Sequence, residues 1–114
     1  MNDRANLLQE LICANRPIDQ IVRDLAAFGW DSETELVIFT RRHISDVLKR
    51  FLGGSLSARS VRAWAEAVES REDIGFEASS DELLQQTIFE LANPEITRPL
   101  TPLLAQKLIS DLQP

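Results

Sequence analysis

The side chains able to do chemistry are few and scattered. There is one histidine, His43, and one cysteine, Cys13. A run of carboxylates, Glu66, Glu69, Glu72, Asp73 and Glu77, surrounds a single base, Arg71. Neighbouring carboxylates can in principle act as acid and base, but the spacing of Glu69 and Glu72 is too common to single out a reaction. His43 falls at the third position of a helix capped by Thr40. There the helix N-terminus and the flanking Arg41 and Arg42 disfavour protonation, which favours a capping or surface role. A Cys13–His43 pair is conceivable in space, yet Cys13 lies beside an apolar helical stripe, where a buried thiol is inert. The chain has no Gly-rich phosphate loop, no nucleophile elbow and no Cys/His cluster of zinc spacing. The acidic run does not have the spacing of an EF-hand loop, which needs alternating oxygen ligands, a glycine at the sixth position and a glutamate at the twelfth. The residues therefore imply no catalytic group, no metal and no cofactor.

What remains is the carboxylate run itself, and it sits against the preference of the backbone. Ser57 is an N-cap, and Val61, Trp64, Ala65 and Val68 then recur at helical spacing on one face. Glu69 lies in the last turn, where the helix dipole disfavours negative charge, and Glu72 and Asp73 follow with only Arg71 to offset them. Gly75 permits a tight turn, flanked by the anchors Ile74 and Phe76. Local pairing of Arg71 with Glu72 or Asp73 would make this a plain connector. The functional reading is a rigid loop that presents Glu66, Glu69, Glu72, Asp73 and Glu77 to a basic partner. On that reading, Glu69→Ala combined with Asp73→Ala slows association without unfolding the domain. The alternative is a small enzyme with its site between His43 and the acidic turn. A third reading is a subunit of a homo-oligomer.

Composition narrows the partners. The 114 residues suit one domain able to bury a core without disulfides or a structural metal. The net charge of −6 argues against general nucleic-acid or anionic-membrane binding and towards basic partners. No apolar stretch reaches membrane-spanning length, the N-terminus lacks the order of a signal peptide, and a lone cysteine suits a reducing cytoplasm. Charge is uneven: six bases against one acid from Arg41 to Arg62, then eight acids against one base from Glu66 to Glu90. The basic segment invites a helix-turn-helix reading around Gly53-Gly54. Arg50 stands where that motif needs a small residue and Ser55 where it needs an apolar one, so DNA recognition is not supported.

Periodicity predicts a compact all-α domain of about six short helices spanning 1–114, with one extended segment near Leu36–Phe39. Helix one covers 3–14, with Leu7, Leu8, Leu11 and Ile12 inward. Helix two opens at Pro17 and ends at Gly29, with Ile18, Ile21, Val22, Leu25 and Phe28 as its stripe. A polar loop from Trp30 to Glu35 leads to Leu36–Phe39, for which no convincing partner strand is visible; Ile96 is a weak one. Helix three follows Thr40 and buries Ile44, Val47, Leu48, Phe51 and Leu52. After helix four, Ser79 and Glu82 have capping-box spacing for helix five, lined by Leu84, Ile88 and Leu91. Thr101-Pro102 opens helix six, with Leu104, Ala105, Leu108 and Leu112 inward.

Three tracts, Arg50–Leu56, Trp64–Glu77 and Ile88–Pro94, resemble a family of small uncharacterised bacterial proteins across roughly the C-terminal two thirds of the chain. That resemblance implies no activity and transfers no site residue. In size and acidity the chain is also loosely similar to toxin-immunity proteins. The expected function is a cytoplasmic, non-enzymatic, immunity-like or adaptor-like interaction module.

Overall fold

A computed structural model describes residues 3–28 and 33–113. In chain order the elements are α1 (Arg4–Cys13), α2 (Ile18–Leu25), β1 (Val37–Phe39), α3 (Arg41–Leu52), α4 (Ala58–Glu69), β2 (Ile74–Phe76), α5 (Asp81–Ala92) and α6 (Pro102–Asp111). A 3-10 turn, Ala26–Phe28, extends α2, and another, Ala78–Ser80, leads into α5. The fold is the mostly helical domain that the periodicity implies. The helices pack chiefly as neighbours, α1 on α2, α4 on α5 and α3 on α6.

Side-chain caps explain where α1, α4 and α6 begin. Asp3 accepts from the Asn6 N–H at 2.8 Å, Ser57 from Ser60 at 3.1 Å and Thr101 from Leu104 at 3.2 Å. Each satisfies a backbone donor that has no partner inside its helix. Gly54, at φ +86°, turns the chain out of α3 in the left-handed region open to glycine. Ala14 takes the same region at the end of α1. Arg50 of α3 reaches back to that end and donates to the carbonyls of Ala14 and Cys13, both at 2.9 Å. This is why an arginine stands where a helix-turn-helix would need a small residue: it closes the C-terminus of α1, which has no base of its own in its last turn.

The core gathers on the aromatic residues. Trp64 is fully buried and its indole N–H donates to the Leu11 carbonyl at 2.7 Å. Phe39 packs between Trp64, Phe76 and His43, with ring centroids 5.6, 5.8 and 5.5 Å away. The stripes of α1 and α4 are buried as expected, whereas Val22 and Phe28 of the α2 stripe are exposed, as is Leu52 at the end of α3. The expected helix end at Gly29 and the start of the loop at Trp30 lie outside the described residues.

Three local expectations are corrected. Leu36–Phe39 does have a partner: Val37, Ile38 and Phe39 pair in parallel with Ile74, Gly75 and Phe76. Ile96 stays exposed and takes no part. Gly75 is therefore not a left-handed turn but a strand residue, and the Glu35 carboxylate lies where its Cβ would be. The capping box at Ser79 and Glu82 does not form. Ser79 and Ser80 are in the 3-10 turn, so the N-cap of α5 is Ser80 rather than Ser79, and the Ser80 hydroxyl accepts from Arg41 Nε at 2.5 Å and makes no cap hydrogen bond.

Candidate functional site

The five carboxylates of the acidic run do not act together. Glu66 and Glu69 are exposed on the last turns of α4, and Glu72 is exposed in the bend before β2. Glu69 and Glu72 make no ion pair among the described residues, and Glu66 has only Arg62, one helical turn back at 3.6 Å. Glu77 is half-buried at the end of β2. Its backbone N–H donates to Phe39, and its carboxylate faces the N-terminus of α3, accepting weakly from the Arg41 N–H at 3.4 Å.

Asp73 departs furthest from the expectation. Its side chain is 0% exposed and forms no part of a surface. Arg71 clamps it with two hydrogen bonds at 2.9 Å, and Arg4 of α1 adds a third at 2.8 Å. Burial by itself would push the Asp73 carboxyl up. The hydrogen bonds from Arg71 and Arg4, with their charges, outweigh it and hold the group below the usual carboxylate range. The Asp73 carbonyl also receives the Leu36 N–H at 2.8 Å. One residue thus ties α1, β1 and β2 together. The local pairing with Arg71 that would make the run a connector is present, and it involves Asp73 alone. Glu35, two residues before β1, lays a further carboxylate across Gly75.

His43 caps its own helix. Its Nδ1 accepts from the Thr40 backbone N–H at 2.9 Å, and its ring stacks on Phe39 at 6°. Burial, helped by Arg42 and opposed by Asp46 and Glu77, lowers its pKa below the ordinary histidine value. Cys13 is half-buried and its sulfur accepts from Gln9 at 3.7 Å. The two groups thus take separate partners, and no Cys13–His43 contact forms. Among the described residues no three His, Cys, Asp or Glu side chains are grouped as metal ligands would be, and no helix is long and apolar enough to cross a membrane.

A cleft of about 740 Å³ opens between α3, the segment after β2 and the end of α6. Its walls include Arg41, Arg42, Ser45, Asp46, Lys49 and Glu77. His43 does not line it, and of the acidic run only Glu77 does; its other polar groups come mainly from α3. The one available signal was Ser45, a hydroxyl beside Ile44 and three residues before Leu48, at the margin of an otherwise apolar stripe.

No protein-family model matches the chain, and no curated protein and no solved structure matches it.

Proposed function

We propose that the protein is a non-enzymatic interaction module, immunity-like or adaptor-like, that offers an acidic face to a basic protein partner. The face consists of Glu66, Glu69 and Glu72. The observation that supports this reading is that Glu69 and Glu72 are exposed without an ion pair among the described residues, in a helix end that has no base in its last turn. Local stability favours the opposite charge there. The same stretch is anchored by the buried Asp73, so the exposed carboxylates stand on a fixed base. Charge placed this way steers encounter and sets specificity more than it adds affinity. A cytoplasmic setting and a bacterial source belong to the same proposal.

The test is a pull-down with the tagged protein at low and at high salt, read by mass spectrometry and repeated with Glu69→Ala/Glu72→Ala. A basic protein is expected at low salt and lost at high salt. The double variant should keep its fold and associate roughly tenfold more slowly with that partner. Binding that is insensitive to both salt and the substitutions would sink the proposal.

A further inference from the structure

Four polar residues are buried among the described ones: Ser45, Asp73, Ser80 and Thr87. Three are satisfied within the protein. Asp73 has Arg71 and Arg4, Ser80 accepts from Arg41, and Thr87 donates to the Leu83 carbonyl at 2.8 Å. Ser45 is 7% exposed, and its hydroxyl has no hydrogen-bond partner among the described residues. A serine within a helix ordinarily turns its hydroxyl back to the carbonyl four residues earlier, as Thr87 does, and Ser45 does not. Every fully enclosed side-chain nitrogen or oxygen among the described residues has a partner. The Ser45 oxygen is therefore not enclosed, and its residual exposure opens into the cleft that it lines.

The charges around that hydroxyl are of both signs, three cations, Arg41, Arg42 and Lys49, against two carboxylates. Arg41 spends donors on neutral acceptors of the protein, Ser80 and, at 3.2 Å, the Gln113 carbonyl, so it adds positive charge to the cleft while its hydrogen bonds are held within the fold. Two cationic heads remain, Arg42 one turn before Ser45 and Lys49 one turn after it. Among the described residues Lys49 has no ion pair, and Arg42 has only a loose contact with Asp46 at 3.9 Å. Two carboxylates oppose them, Asp46 and Glu77. A simple anion would sit against Asp46 and Glu77, and a simple cation against Arg42 and Lys49. A molecule carrying both charges satisfies both pairs, and the cleft volume lies within the range of small-molecule sites.

We propose that this cleft binds a small zwitterion, with its oxyanion on the Ser45 hydroxyl between Arg42 and Lys49 and its cationic nitrogen towards Asp46 and Glu77. The class includes α-amino acids and phosphoamines. The site is separate from the acidic face of α4 and does not depend on it.

Backbone amide shifts can be followed by NMR while the protein is titrated with glycine, glutamine, O-phosphoethanolamine, inorganic phosphate or methylammonium. At least one zwitterion is expected to give saturable shifts confined to Arg41–Lys49, Glu77–Ser80 and Gln113. It should do so at concentrations about tenfold lower than phosphate or methylammonium require. Ser45→Ala should weaken this binding roughly tenfold, the scale of one hydrogen bond to a charged group. It should leave the melting temperature unchanged or higher, because the hydroxyl has no protein partner to lose and alanine is the better helix former. No saturation by any zwitterion overturns the proposal, as do shifts centred elsewhere or single-charge ions that bind equally well. A Ser45→Ala variant that melts lower with binding unchanged would show the hydroxyl to be structural and overturns it as well.

Discussion

At the scale of single residues, Asp73 matters most, and its role is opposite to the one its neighbours suggest. A carboxylate removed from water is costly unless it is fully paired. Here the two guanidinium groups supply three hydrogen bonds and outweigh that cost. Removing the carboxylate would take three hydrogen bonds from Arg71, itself only 10% exposed, and from Arg4. Asp73→Ala should therefore destabilise the domain by about 3–5 kcal/mol, the scale of breaking a buried ion pair from one side. Chemical denaturation would measure it. A loss below about 1 kcal/mol would mean that the pair behaves as a surface contact. Contrary to the expectation from sequence, Asp73→Ala should perturb the fold, whereas Glu69 and Glu72 are exposed and can be replaced without touching the buried pair.

At the scale of elements, the start of α3 depends on the protonation of one ring. The Thr40 N–H can donate to His43 only while Nδ1 is unprotonated. The folded pKa of His43 lies below its unfolded value of 6.5. Below 6.5 the unfolded chain takes up the proton first, so stability falls with acidification until pH passes the folded pKa. Above 6.5 the contribution is complete. Glutamine at this position can make the same cap without titrating. Between pH 7 and 5, His43→Gln should lose less stability than the natural protein, and equal slopes in thermal melts would exclude the cap as the cause. The cap itself was legible: Thr40 at the N-cap with His43 at the third position is a local pattern, like the stripes of α1 and α4. Other elements were not legible. β2 is three residues long and contains a glycine, which strands disfavour, and it lies inside a run that charge alone marks as surface. Its pairing with β1 is a contact between residues 37 apart in sequence, beyond any local period. Ser80 illustrates the same limit, because it is the N-cap of α5 and its hydroxyl is taken by Arg41 of another helix, a pairing no local pattern announces. The cleft is assembled from three separate segments, so only the margin position of Ser45 hinted at it.

At the scale of the whole molecule, the net charge of −6 acts on stability through two groups of interactions that salt affects differently. Exposed pairs such as Arg23–Asp19, Arg42–Asp46 and Lys107–Asp111 lie one turn apart on helix surfaces. Each contributes at most a few tenths of a kcal/mol, and salt screens it. The Asp73 ion pair is buried and keeps its strength in salt. Against both stands the mutual repulsion of the surplus carboxylates, including Glu66, Glu69 and Glu72 on the end of α4. This repulsion acts over distances comparable to the Debye length, so about 0.15 M salt removes much of it. Screening the repulsion should therefore outweigh screening the weak pairs. Raising NaCl from about 10 to 150 mM should lift the melting temperature by roughly 1–3 °C, the shift expected from a few tenths of a kcal/mol in a domain of this size. In Glu69→Gln/Glu72→Gln the lift should shrink while the low-salt melting temperature rises. A melting temperature that falls with salt would show that the exposed pairs govern the balance. The acidic end of α4 would then cost the fold little, and its unpaired charge would lose the thermodynamic argument for a role outside the fold.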